Sequence, residues 1–529
     1  MTFDYDALDH LTQITYPDGT TQQWIYDKLK PILHRDRLGR VTRFHYNALK
    51  QLAAIQDASG KTTNVEWNNN TLQSVTDSLG RTTQWKYNAQ GQLIEKLYPD
   101  NSAISYEYYT NVNWLKTRTD AMGQKTHYTY YPDGTLQSIS YSNTKNPTPS
   151  VTFNYNTTYK RLTSMADGTG TTTYGYNPSD IPTLGAGQLN EVNGPLNADV
   201  IRYDYDELGR LKERKINNVP TSYTYDELNR LKTINCPIGT FTNIYWNNIN
   251  RLKQVDYPNG QKTVLDFYGI KQDQHLKQIR NISSSGDLLS QFDYQYDINR
   301  TITQWTQQLD NSPTTVIDLD YDKLNQLLAA TYRQNGQVTK EFGYHYDKAG
   351  NRLSEKIDDN VTQASYNNLN QLINRQAGGA VLFKGNLNES GEVKVANQSA
   401  LITEGTNFFQ TASLQVGTNV VSIVATDENN NTKTNLYQIV TNPNEEETFE
   451  YDLNGNLISK TSPNSTVKYD WDGADRLIRI TRQLSLSTNV SEFTYDGLSR
   501  RVRIVEKEND SLIRDNRFIW EDKAIIEER

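Results

Sequence analysis

One cysteine, Cys236, and three methionines stand among 529 residues. A single cysteine excludes an intramolecular disulfide framework and any zinc site built on paired thiolates. Long apolar runs are missing too. None approaches the ~18 residues of a spanning helix, so no membrane span is expected. The opening "MTFDYDALDHL" has no basic stretch followed by an apolar one, so no signal peptide is visible. Positive charge is in short supply: 54 Lys and Arg face 62 Asp and Glu, for a net charge of -8. Nucleic acids and anionic membranes both require a basic face, and this balance argues against them as partners. Histidine is sparse. His10, His34, His45, His127, His275 and His345 form no HExxH, no paired Cys/His pattern, and no Gly-x-Ser-x-Gly elbow is present.

What the chain has is tyrosine, 35 of them against 13 Phe and 8 Trp. With abundant Thr, Gln and Asn, this composition favours strands and turns over helices. The tyrosines are periodic. "YDELGRL" at Tyr205–Leu211 returns as "YDELNRL" at Tyr225–Leu231. The aromatic that opens this phrase falls at Tyr5, Tyr26, Tyr46, Trp67, Tyr87, Tyr108, Tyr130, Tyr155, Tyr176, Tyr205, Tyr225, Trp246 and Tyr268. It continues at Tyr296, Tyr321, Tyr346, Tyr366, Tyr451, Trp471 and Tyr495. About twenty units result, most of them 20–22 residues long. A second turn signal follows about ten residues on, as in "YPDGTT" at Tyr16–Thr21 and "DSLGRTT" at Asp77–Thr83.

Turn, strand, turn, strand describes a chain of antiparallel hairpins. The strand before each phrase alternates. Trp85 and Tyr87 share a face, as do Phe292, Tyr294 and Tyr296, while Thr, Gln and Lys take the other. A lone hairpin is marginal in water, so each unit needs its neighbours, and the repeated aromatics are read as architecture. Twenty two-stranded units at ~4.8 Å per strand make a ribbon ~190 Å long and ~20 Å wide. Such a ribbon must twist and coil. It can wind as a spiral wall around a space; propeller blades would need a period near 40.

One interval breaks the rhythm. From Tyr366 to Tyr451 the phrase vanishes, leaving about 65 residues beyond one repeat. "GTNVVSIVATD" reads as a strand and "DENNN" at Asp427–Asn431 as a hairpin turn, so a small inserted β-sandwich is expected over 377–444. An acidic linker, "NPNEEE" at Asn442–Glu447, returns the chain to the ribbon.

"YDELGRL", "YDELNRL", "YDKAGNRL" and "YDLNGNL" resemble the RHS/YD-repeat family, which includes the shells of bacterial Tc toxin complexes and the YD-shell of teneurins. The resemblance covers about 1–376 and 445–529. It implies an all-β ribbon spiralled into a hollow shell, interrupted by the insert, whose "GTNVVSIVATDENNN" resembles bacterial Ig-like modules. It further implies a secreted or cell-surface bacterial protein that encloses a C-terminal polypeptide toxin. An alternative is an adhesin binding a cell-surface glycan or protein through the wall or the insert, and a second is a carbohydrate-active enzyme. A secretion apparatus is a further possible partner. The chain has no Asp-Pro dipeptide, so the family's self-cleaving core is not carried over, and the sequence reads as the middle of a longer shell.

No catalytic, cofactor-binding or metal-binding residue is assigned. Most carboxylates sit in turn phrases, and none is singled out as the converging pair a glycosidase needs. Asp427, Glu428 and Asn429 do not have EF-hand spacing. His45 and His345, set between alternating aromatics, are expected on the polar face, and Cys236 at a strand end. A polar inner lining is expected, since it would offer an enclosed polypeptide no sticky surface.

Overall fold

A computed structural model of the chain describes every residue except 180–181, 247–248, 311, 404–405 and 442–445. The linker expected at Asn442–Glu447 therefore lies mostly outside the described residues. Among the described residues, the regular structure apart from a single 3-10 turn at Ile270–Gln272 is strand. Forty-two strands of the described residues join in one antiparallel sheet, each paired with the next along the chain except that Leu372–Ala377 pairs with Glu447–Tyr451.

The repeated phrase makes its own turn. In the Tyr205 copy the Asp206 N–H donates to the Arg210 carbonyl, and the Gly209 N–H donates to the Asp206 carbonyl, at 2.9 and 3.0 Å. The Asp206 carboxylate fastens this loop. Its Oδ1 accepts the N–H groups of Leu208 and Arg210, both at 2.9 Å, and its Oδ2 accepts Arg210 Nε at 2.7 Å. Gly209 sits at φ 72°, where a Cβ is disfavoured, and Asn229 takes the same place in the next copy at φ 61°. The register slips by one residue between Asp204 and Tyr205, and again between Thr224 and Tyr225. Each phrase is thus a tight turn with a bulge, which strengthens the local twist.

The twist accumulates into a coil. Asn299 Nδ2 donates to Asp36 at 2.7 Å, and Ser78 Oγ to the Lys348 carbonyl at 2.7 Å. Asn454 Nδ2 donates to Asp120 at 2.6 Å, and the Gly497 N–H to Asp167 at 2.5 Å. Along the ribbon, 23 strands separate the two turns of each of these four pairs. The phrase edge of one turn of the coil therefore rests on the opposite edge of the turn before it. At ~4.8 Å per strand, 23 strands give a circumference of ~110 Å and a mean diameter of ~35 Å. The wall is a single layer. Few of its residues are fully buried, and the clusters around Met165 and around Ile201 and Tyr203 lie where later turns pack on earlier ones.

Residues 379–441 leave this sheet. They form a three-stranded and a four-stranded sheet over a common cluster of Val381, Val393, Val395, Phe408, Leu414 and Val421. The wall does not register the excursion: Asn374 pairs with Thr448 and Arg375 with Glu447.

Candidate functional site

The repeated feature with a definite chemistry is the junction between consecutive copies of the phrase. Tyr225 Oη donates to the Leu211 carbonyl at 2.9 Å, and Arg210 Cζ lies 4.4 Å from the centre of the Tyr225 ring. Both partners belong to the preceding copy. Asp206 holds Arg210 in place, and the Arg210 hydrogen bond in turn holds the Asp206 carboxyl below its ordinary pKa. This copy thus supplies the arginine and the carbonyl that receive the next copy's aromatic, and Arg230 with the Leu231 carbonyl does the same for Tyr245. Such a junction needs two consecutive copies of the phrase.

The same bond recurs along the wall. Tyr26 donates to the Leu11 carbonyl, Tyr46 to Pro31, Tyr108 to Leu93, Tyr205 to Leu189, Tyr346 to Leu327 and Tyr495 to Leu477. Trp67 and Trp471 use the indole N–H on the carbonyls of Leu52 and Leu457, each at 2.8 Å. Tyr130 instead packs between Trp114 and Tyr109. Tyr87, Tyr321 and Tyr451 close their strands opposite Leu93, Leu327 and Leu457. Tyr5, in the first strand, is 58% exposed.

The register differs from the sequence reading in two units. Tyr245, not Trp246, donates to the Leu231 carbonyl at 2.9 Å, and Phe267, not Tyr268, lies under Arg251 at 4.7 Å. Adjacent aromatics made the phrase ambiguous there, and the choice falls on the residue that ends the strand. The junction at Trp520, whose indole donates to the Arg501 carbonyl at 2.9 Å, was missed because "IWEDKA" lacks the phrase's closing Gly-Arg-Leu. A spacing of 25 residues from Tyr495 was the available signal.

The two faces of the wall differ. Gln84 and Lys86 are exposed while Trp85 and Tyr87 are half-buried. His345 pairs across the ladder with Ser354, on the face opposite Tyr344 and Tyr346. Residues 379–441 dock on that polar face. Ser354 Oγ donates to the Ala380 carbonyl, Lys384 pairs with Asp320, and Val361 is fully buried in the insert's core. A cavity of ≈ 760 Å³ lies between insert and wall, bordered by Phe342, Lys356, Phe408, Ile423 and Ile439.

Among the described residues no group of three or more His, Cys, Asp or Glu is placed to hold a metal ion. Asp427 spends its carboxylate on the N–H groups of Asn429 and Asn431 and on the Asn431 side chain. Cys236 ends its strand half-buried, opposite Gly239.

The fold and its junctions define a coiled, single-layer wall of β-hairpin repeats. A family model described as RHS Repeat matches residues 68–103 and 451–483. The crystal structure of TcdB2-TccC3-TEV shares the fold across 99% of this chain, with a TM-score of 0.56 and 11% identity. Double-stranded DNA deaminase toxin A of Burkholderia cenocepacia (strain H111) is 34% identical over 86 residues. That match takes in 15% of this chain and 6% of the relative, and the chain spans 30% of the crystallised protein. The chain thus carries RHS repeats at residues 68–103 and 451–483, and over nearly its whole length it has the fold of that crystallised protein.

Proposed function

We propose that this wall encloses and protects a polypeptide cargo, a toxin in the simplest case, within a longer bacterial protein that is secreted or displayed at the cell surface. The observation that carries this reading is the coil: a ribbon that returns to itself every 23 strands surrounds a space, and the wall is one layer thick. The relative named a toxin agrees with it. We divide the chain into wall at 1–376, an Ig-like β-sandwich at 377–444 and wall again at 445–529. The insert sits on the polar face and makes its extensive wall contacts only with strands between Gln337 and Tyr366. A body of that size inside a space ~35 Å across would meet the opposite wall as well. The polar face is therefore the outer one in this reading, and the aromatic face lines the interior, the reverse of the polar lining expected from the sequence.

The wall itself is read as non-catalytic, since the carboxylates of the repeats are committed to turns and junctions. The test is a marker domain fused after Arg529, in this chain and in a version extended by its natural downstream sequence. Protease protection only in the extended version is the expected result. Equal exposure in both, together with glycan binding, would favour an adhesin. That second reading rests on one observation, the cavity between insert and wall with the exposed strand Thr432–Thr441 beside it.

A further inference from the structure

The contacts that join one turn of the coil to the next are not uniform. At the C-terminal end they are close and combine apolar packing and hydrogen bonds with one ion pair, Arg214–Glu521 at 2.5 Å. A Cβ on Gly497 would stand 2.6 Å from Val151 and 2.8 Å from the Met165 sulfur, so only glycine fits. Gly473 presses on Thr144 and donates its N–H to Thr148 Oγ1 at 2.7 Å. Ile519 is buried against Ile201 and Tyr203.

At the N-terminal end the join is ionic. Arg37, whose side chain is 5% exposed, pairs with Asp273 and, at 2.5 Å, with Asp18. Asp273 also faces Arg300 at 3.6 Å, so one buried carboxylate serves two guanidiniums. Beside it His275 tilts on the Tyr296 ring at 4.9 Å, with Nε2 buried and without a hydrogen-bond partner. The charged groups facing that imidazole are Arg300, Asp273 and Arg37; Asp36 and Asn299 complete the contact at 2.7 Å.

We infer that the seam between turns is a zipper with a weak end: mild acid or high salt opens it at Arg37, Asp273 and His275 while the Gly473–Gly497 end stays shut. A proton on His275 adds a cation beside Arg37 and Arg300, which already converge on Asp273. Burial, Arg300 and Arg37 each push the His275 pKa below its ordinary value. The closed seam thus binds this proton less readily than the open one. The stabilisation is full above the ordinary imidazole pKa and is lost as the pH falls below ~6.5. Salt acts on the same cluster by screening it, whereas at Gly497 the carboxylate of Asp167 accepts a backbone N–H and the neighbouring contacts to Val151 and Met165 are apolar. The inference concerns the coil alone and stands apart from what the coil encloses.

Hydrogen exchange of the full chain tests it, with rates corrected for the intrinsic effect of pH. Between about pH 7.5 and about pH 5.5, amides of residues 34–41 and 270–300 are expected to lose protection several-fold, and those of 148–153 and 471–497 to hold theirs. His275→Gln should abolish the acid response yet retain the response to about 1 M salt, and should melt like the parent at neutral pH. Equal loss along the whole seam, no loss at either end, or an unchanged acid response in His275→Gln would each overturn the inference.

Discussion

Tyr225 gives its hydroxyl proton to the Leu211 carbonyl at 2.9 Å and lies under the Arg210 guanidinium at 4.4 Å, so residues of one copy of the phrase grip the ring of the next. Two separable contributions follow. Tyr225→Phe removes one hydrogen bond and should cost about 1 kcal/mol. Tyr225→Ala also removes the half-buried ring and should cost about 2–3 kcal/mol. Urea midpoints at constant slope check both, and equal costs for the two variants would show that the hydroxyl carries the whole junction.

Arg210 should act through that ring. A double-mutant cycle between Arg210→Ala and Tyr225→Ala should return a coupling of about 0.5–1 kcal/mol. A coupling near zero would reduce the stacked guanidinium to a bystander.

The left-handed turn position makes a prediction from two neighbouring repeats. Asn229→Gly should be neutral within a few tenths of a kcal/mol, because glycine accepts φ 61° without strain. Asn229→Val and Gly209→Val should each cost about 1–2 kcal/mol, since β-branched residues resist this region. Thermal melts of the three variants decide it.

Alkaline pH should unfold the wall before it ionises all its tyrosines. Burial and the neighbouring Glu521 hold the Tyr203 hydroxyl pKa well above its ordinary value, and burial raises Tyr205, Tyr225 and Tyr495. For an acid whose folded pKa is raised, the stabilisation is full below the unfolded value near 10 and lost as the pH rises beyond it. Tyrosinate absorbance should therefore rise late and cooperatively, together with loss of the β circular-dichroism signal. A gradual titration with the fold intact would contradict this.

Removing 377–444 and bridging the gap with a short turn should leave the wall folded. Arg375 already pairs with Glu447, so the two ends of the excursion are neighbours. The expected outcome is a cooperative melt, with loss confined to whatever binds at the insert.

The hairpins and their turn chemistry were legible in the sequence because both are local: a Gly or Asn able to take positive φ and an Asp able to bond its own following backbone announce most of the turns. The role of the tyrosines was legible only in part. Period-two alternation places Tyr225 on the aromatic face, but nothing in it says that a hydroxyl meets a carbonyl fourteen residues back. Trp246 shows the limit, for when two aromatics are adjacent only the strand end at Tyr245 chooses between them. The seam was invisible. Asp120 meets Asn454 because of how much twist the intervening strands accumulate, and no residue near either of them encodes that sum.

That sum also sets how such a wall can change length. One extra hairpin between Asp167 and Asp273 would displace the turns downstream of it by one place along the seam, setting both Arg37 and Gly497 before strangers. A body spliced between Ala377 and Glu447 displaces nothing, because the strands on either side still pair as if adjacent. The architecture is therefore intolerant of gaining its own repeat and indifferent to an excursion that leaves the flanking strands paired. New surfaces can be grafted at strand ends, while the number of strands per turn stays locked.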